Sequence, residues 1–409
     1  MTQGPAKGAG QRSLSALEWL NFFIANVQTG FGPFISAYLT TQIWPQARIG
    51  LVLTISSIVA LVGQLPAGMI IDAMASKRLA AGVAVIAIAA SALLLALWPV
   101  FPLVLLAEVL HGLASCLLGP AIAAITVGLT ADALTSRQFG RNASFASVGA
   151  GVAAVLMGAC GRFVSDRAVF YLTALLVVPA LLAIARIVDT GIDPTRSSEA
   201  PEADRANRPS SSIVEVLQNR SLLVFAGCLI LFHLANAAML PLVASLVTMH
   251  SGQQAPLLIA ACIVIPQIVV AISSPWIGRK TQVWGRKPLL LIGFGVLPIR
   301  GFLFSVAASP YIYLLIQVLD GISAAVIGVM LPIVVADVTR RSTHFNAALG
   351  AVGTAAGIGA SISSTIAGVV DDRFGGGAAF GLLAAIAVVG AIVIGSAMPE
   401  TQLSGDLSR

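Results

Sequence analysis

Twelve long apolar runs separated by short polar joints govern what this chain can become. They fall at roughly 16–41, 49–71, 79–98, 101–130, 142–165 and 168–188, then 221–249, 256–278, 288–308, 311–337, 344–370 and 378–398. About 20 apolar residues cross a bilayer as one helix, so the pattern predicts an all-α integral membrane protein with twelve transmembrane helices. Composition agrees: 57% of the 409 residues are hydrophobic and 10% are charged, against about a quarter charged in soluble domains. The mean hydropathy is +0.95. The opening residues are Gly, Ser and basic types without an apolar core before a cleavage site, so the first run is expected to remain in the protein.

The runs divide six and six. Between them lies 189–220, the one long stretch rich in Pro, Ser and charge, which has the composition of a flexible linker. The expected organisation is a six-helix bundle over 1–188, a cytoplasmic linker over 189–220 and a second six-helix bundle over 221–409. Cys116, Cys160, Cys228 and Cys262 all lie inside apolar runs without metal or redox spacing, and read as small core residues.

Cytoplasmic joints retain Lys and Arg. Placing the termini and the even-numbered joints on one side gathers 18 of the 23 basic residues there and leaves Arg48, Arg162, Arg167, Arg300 and Arg373 on the other. Both termini and the linker are therefore expected in the cytoplasm of a bacterial-type inner membrane. The formal charge of +6 follows from this topology. Basic residues scattered over short joints, with no single soluble face, exclude a nucleic-acid-binding role.

The halves also repeat. FFIAN at 22–26 matches FHLAN at 232–236 and Gly68 matches Gly278, both at an offset of 210. EVLHG at 108–112 matches QVLDG at 317–321, and Gly119 matches Gly328, at an offset of 209. Asn142-Ala143 matches Asn346-Ala347 further on. The common order and nearly constant offset describe two pseudo-symmetric bundles in parallel repeat, the arrangement of alternating-access carriers.

On these residues the chain resembles the major facilitator superfamily of secondary transporters over essentially its whole length. That family's signature is a Gly, three residues, an Asp and then Gly-Arg-Lys in the joint between helices 2 and 3, with a weaker copy between helices 8 and 9. The first copy here keeps Gly68, Asp72 and Lys77, followed by Arg78, with Ala75-Ser76 where Gly-Arg is usual. The second keeps Gly278, Gly285, Arg286 and Lys287, with Gln282 in place of the acid. Small residues allow a tight turn, and the bases are expected to sit beside anionic headgroups. The resemblance implies a conformational latch built from these positions, with Asp72 near the start of helix 11 around His344 to Asn346, where exposed amides favour an anion. Local pairing of Asp72 with Lys77 or Arg78 is the simpler alternative. The sequence departs from the family at Glu108, where many proton-coupled members carry Arg, and in helix 5, whose Gly-rich run has no Pro.

An ionisable group at bilayer depth costs about 2.5–3.5 kcal/mol on insertion scales and usually faces a cavity. Glu108, His111, His233 and Asp320 are such groups. Glu108 and His111 are three residues apart on one helix face and are the candidate proton-coupling pair. Asp320, His233, Asn236, Asn26 and Gln28 are the candidate solute-binding groups. The two carboxyls lie either at the membrane centre or near the outer vestibule, and the Asn and Gln side chains serve equally well as interhelical hydrogen-bond partners.

No phosphate loop and no metal-ligand spacing is present, so neither an enzyme nor a cofactor or metal is expected. The expected function is proton-coupled secondary transport of a small organic solute by alternating access, with export favoured over uptake. Sodium stays open as the alternative ion. A carrier-like sensor or assembly protein is the non-transporting alternative. Partners are the solute, the proton and the lipid bilayer, and the chain is expected to be a monomer.

Overall fold

A computed structural model describes residues 5–29, 31, 33–44, 46–130, 132–188, 214, 218–251, 255–307, 309–340, 342 and 344–402. The proposed linker lies outside the described residues except for 214 and 218–220. Every regular element among the described residues is helical. In the first part of the chain these are α1 (Pro5–Thr29), α2 (Pro33–Thr41), α3 (Gln46–Ala73), α4 (Lys77–Leu97), α5 (Phe101–Leu129), α6 (Asp132–Phe163) and α7 (Asp166–Arg186). The second part has α8 (Arg220–Asn236), α9 (Met239–Ser251), α10 (Ala255–Trp284), α11 (Arg286–Val306), α12 (Pro310–Thr339), α13 (Phe345–Phe374) and α14 (Gly376–Ala397).

Eleven described helical stretches are long and apolar enough to cross a membrane. The remaining apolar run, 16–41, is divided between α1 and α2, and the seventh run is divided in the same way between α8 and α9. Proline explains both interruptions. Pro33 opens α2, where a missing N–H costs nothing, and Pro241 lies in the first turn of α9, where it cannot donate to the carbonyl of residue 237. The backbone N–H of Ala238, exposed by the second break, donates to Ser363 Oγ at 3.0 Å.

Lengths then run in parallel. α4 and α11 each have 21 residues, α5 has 29 and α12 has 30, and α7 has 21 against 22 in α14. The fifth span begins earlier than the apolar run at 142, because α6 continues through the polar stretch from 132.

The helices pack as two units. One holds α1–α7 together with 340–350, the start of α13, and the other holds α8–α12, the rest of α13 and α14. In the first, α4 packs on α5 and α7, α3 on α5, and α1 on α6 and α7. A shared apolar core runs through Leu17, Leu20, Val85, Ile88, Leu118, Ile125 and Phe170. The α1–α6 crossing is close enough that a Cβ on Gly149 would stand 2.3 Å from the Phe22 carbonyl oxygen. In the second unit α11 packs on α14 and α12, and α10 packs on α12.

Candidate functional site

Several polar constellations stand out among the described residues. The most buried surrounds Arg300, which stands inside α11 and is 1% exposed. Its Nη1 lies 2.6 Å from Asp320 Oδ1 on α12 and also donates to Asn236 Oδ1, at the end of α8. Its Nη2 donates to Gln317 Oε1 at 3.0 Å, and its guanidinium carbon lies 5.4 Å from the ring centre of Phe304. Two of the sequence candidates, Asn236 and Asp320, are thus brought together by a residue that topology counting assigned to an external joint. That assignment is corrected here: Arg300 is part of a transmembrane helix. Its position inside the apolar run 288–308 was the available signal. His233, one turn before Asn236, packs edge-on against Phe232 and has no hydrogen bond to Arg300.

In the first unit, Glu108 is buried in α5, and its Oε1 has no hydrogen-bond partner among the described residues. Ser56 of α3 donates to its backbone carbonyl at 3.2 Å. His111 does not hydrogen-bond Glu108. Its Nε2 pairs with Ser115 Oγ at 3.2 Å, and its ring stacks on Phe31 with centroids 3.8 Å apart. The two residues share a helix, as their spacing requires, but use different neighbours. Asn26 is buried at the α1–α6 crossing, where its amide donates to the Phe22 carbonyl at 2.9 Å. Gln28 is half-buried at the penultimate position of α1.

A network that the sequence reading missed lies in the same unit. Glu18 in α1 has a side chain 4% exposed, and its Oε1 lies 2.6 Å from Arg141 Nε on α6. Arg141 Nη2 donates to Glu18 Oε2 at 2.9 Å, so the pair is two-pronged. Gln138 Nε2 donates to Glu18 and to Asn142 Oδ1, and Asn142 Nδ2 donates to Thr126 Oγ1 on α5. Glu18 stands near the start of the first apolar run and Arg141 was read as a joint residue, so only the fold joins them.

A further constellation occupies the joints. Asp72, near the end of α3, accepts from the backbone N–H of Asn346 at 3.1 Å and of Ala347 at 2.8 Å, and from Asn346 Nδ2 at 2.8 Å. The carboxylate therefore caps the opening of α13, whose first amides lack intrahelical partners. Gly68 permits the approach: a Cβ there would lie 2.0 Å from the Asn346 carbonyl oxygen. Lys77 turns inward. Its Nζ donates to the carbonyls of Ile71, Met74 and Asp72, closing the C-terminal end of α3.

At the second joint, Gly285 has φ +84, a backbone that L side chains rarely adopt, and Arg286 is buried with its Nε 2.8 Å from Asp337 Oδ2. The tail after α14 folds back here. Glu400 accepts from the backbone N–H of Arg286 at 2.9 Å and of Lys287 at 3.0 Å, while Thr401 donates to Asp337 and Gln402 Nε2 donates to the Gln282 carbonyl. Burial pushes the Glu400 carboxyl upward, but the amides of Gln402, Arg286 and Lys287 and the Arg286 charge outweigh it and hold the group below its usual range. Lys77 and Arg286 were expected beside lipid headgroups. They instead point inward, because helix-end carbonyls and the Asp337 carboxylate need donors there.

The family model of the Major Facilitator Superfamily matches residues 17–297 and 231–404. The chain belongs to that superfamily. It is 38% identical over 392 residues to uncharacterized MFS-type transporters from two strains of Mycobacterium tuberculosis, covering 95% of this chain and 94% of theirs. Over 131 residues, 31% of this chain and 33% of the relative, it is 34% identical to Multidrug resistance protein 1 of Bacillus subtilis. Among solved structures, the MFS proton:xylose symporter XylE bound to 6-bromo-6-deoxy-D-glucose superposes with a TM-score of 0.76 at 14% identity, over 97% of both chains. The protein is thus a multi-pass MFS transporter, and its relatives are transporters rather than enzymes.

Proposed function

We propose that this MFS transporter couples the movement of a small organic solute to protons, with Glu108 as the proton carrier. One observation carries the reading: Glu108 Oε1 is buried in α5 without a hydrogen-bond partner among the described residues. A charged carboxylate with one oxygen so placed bears a large part of the cost of an ion at membrane depth, whereas binding a proton removes the charge. A group that must be neutral when enclosed and can ionise when water reaches it carries a proton in step with the conformational cycle. His111, held by Ser115 and Phe31, tunes the polarity of the same helix.

Asp320 and Asn236, organised by Arg300, are the proposed solute-binding groups of the second unit, with His233 beside them. In the first unit, Gln28 and the remaining oxygen of Asn26 are the corresponding candidates. Asp72 is the proposed latch: its hold on the opening of α13 must break and reform as the carrier changes access. Lys77, Arg78, Gly278, Gly285, Arg286 and Lys287 shape the two joints around it. Export is favoured by the partial likeness to a multidrug resistance protein, and the distribution of Lys and Arg supports an inner-membrane location with cytoplasmic termini. We assign 1–188 and 221–409 as the two bundles, 189–220 as their tether, and a monomer as the working unit.

The test needs purified protein, a thermal-shift screen to find a stabilising solute, and proteoliposomes loaded with that solute and a pH-sensitive dye. Solute flux in wild type should move protons and respond to an imposed pH difference. Glu108→Gln should lose the pH-driven flux and keep solute exchange between equal pools. Proton movement and pH-driven accumulation at wild-type rates in Glu108→Gln would place the proton elsewhere.

A further inference from the structure

A groove of about 910 Å³ opens on the first unit between α1 and the end of α7. Its floor is apolar, formed by Ala16, Trp19, Phe23, Pro179, Leu182 and Ala183, and Arg12 and Arg186 stand at its rim. Both arginines are exposed, no acidic residue lines the groove, and neither arginine pairs with an acid among the described residues. One end is tied shut where the backbone N–H of Val188 donates to Ser13 Oγ at 3.2 Å. Trp19 is 47% exposed, although its ring packs against Phe22, Phe23 and Phe145. Here an indole packed on three rings and still open to the exterior stands beside two cations that have no acidic partner among the described residues.

We infer that this groove binds an anionic phospholipid. Arg12 and Arg186 take the phosphate, and the acyl chains lie along Trp19, Phe23, Pro179 and Leu182. The chemistry is complementary at both ends. Guanidinium groups bind phosphate oxygens through paired N–H donors, and a Trp at the level of the headgroups is the usual marker of the membrane interface. The negative charge of the cytoplasmic leaflet favours basic side chains placed there. Assigning the lipid to that leaflet rests on the orientation proposed above, but the binding chemistry does not.

Native mass spectrometry of the purified full-length protein, titrated with phosphatidylglycerol or phosphatidylcholine of matched chains, tests the site without reference to orientation. Wild type should retain phosphatidylglycerol in preference. Arg12→Gln combined with Arg186→Gln should bind it about thirtyfold more weakly, with an unchanged melting temperature because both side chains are exposed. Trp19→Ala should weaken both lipids alike. A control pair of exposed bases away from the groove, Arg220→Gln with Arg279→Gln, should leave the preference intact. Equal retention of the two lipids by wild type would overturn the site, whether a neutral lipid or the acidic chain segment beyond Val188 fills the groove. So would a preference that survives in the Arg12/Arg186 double variant. Thiol labelling of Arg12→Cys in sealed vesicles reports the orientation separately: labelling from the periplasmic side would refute the topology and leave the lipid site standing.

Discussion

Arg300 and Asp320 stand 2.6 Å apart on α11 and α12, with side chains 1% and 19% exposed. Removing one partner strands the other charge in an apolar bundle, a loss of about 3–5 kcal/mol when a pair is fully buried. Because Asp320 is partly exposed, Arg300→Gln and Asp320→Asn should each cost about 3 kcal/mol, the low end of that range. The double variant should recover most of the loss, because no net charge remains buried. Thermal unfolding of the four proteins in one detergent measures the coupling, and additive losses would show that the pair contributes no interaction energy.

Asp72 caps the start of α13 with both carboxylate oxygens. Asp72→Asn keeps the shape but removes the charge and replaces one of the two acceptor oxygens by an NH2, together worth about 1–2 kcal/mol at a helix N-terminus and therefore about a five- to thirtyfold change in the ratio of the states it separates. Pulsed electron resonance between spin labels in the α3–α4 and α10–α11 joints should show the distance distribution shifting in Asp72→Asn, and Gln282→Asp should not restore it. An unchanged distribution would reduce Asp72 to a local cap.

Lys77 should be intolerant of neutral replacement. Its ammonium satisfies three carbonyls at the end of α3, and stranding buried acceptors costs about 1–3 kcal/mol. Lys77→Met, which keeps the aliphatic length, should lower stability by about 2 kcal/mol. Hydrogen exchange should rise selectively across 70–80, and a uniform change along the chain would contradict the capping role.

Glu400 makes the second joint sensitive to acid. Its carboxyl is held below the ordinary value of 4.5 in the folded chain, so the folded state binds this proton less readily than the unfolded state. The resulting stability is fully present above pH 4.5, falls as pH drops below that value, and is gone once pH has passed through the folded pKa. Glu400→Gln should cost about 0.5–1 kcal/mol at neutral pH and remove this part of the acid dependence. Melting curves of wild type and Glu400→Gln from pH 7 to pH 3 should therefore converge at the acid end, and parallel curves would exclude Glu400 as the titrating group.

Most of the fold could be read from the chain because lipid allows so few solutions. Twelve apolar runs and a near-constant offset leave little freedom in helix number or order. The interiors of the units were harder. Glu108 and Asp320 stood out as charges inside apolar runs, and Arg300 would have done so had it been judged by its run instead of by the side it was assigned to. The Glu18–Arg141 and Glu400–Arg286 contacts join positions 123 and 114 residues apart, and nothing in local composition links such partners. The inward turn of Lys77 was hidden for another reason: a base between two spans satisfies lipid phosphate and helix carbonyls equally well on paper, and the geometry of the α3 terminus chooses the carbonyls.

The tail that caps α11 has a consequence for how the protein is made. Residues 400–402 follow Arg286 and Lys287 by more than a hundred positions, so α10 and α11 enter the bilayer before this cap has been synthesised. The joint at Gly285 must therefore persist through insertion with the amides of Arg286 and Lys287 facing water. It becomes complete only after α14 has been made and the segment beyond it folds back. A reporter fused directly after Ala397 would leave the nascent carrier permanently in that unfinished form, whereas one attached beyond Gln402 would not.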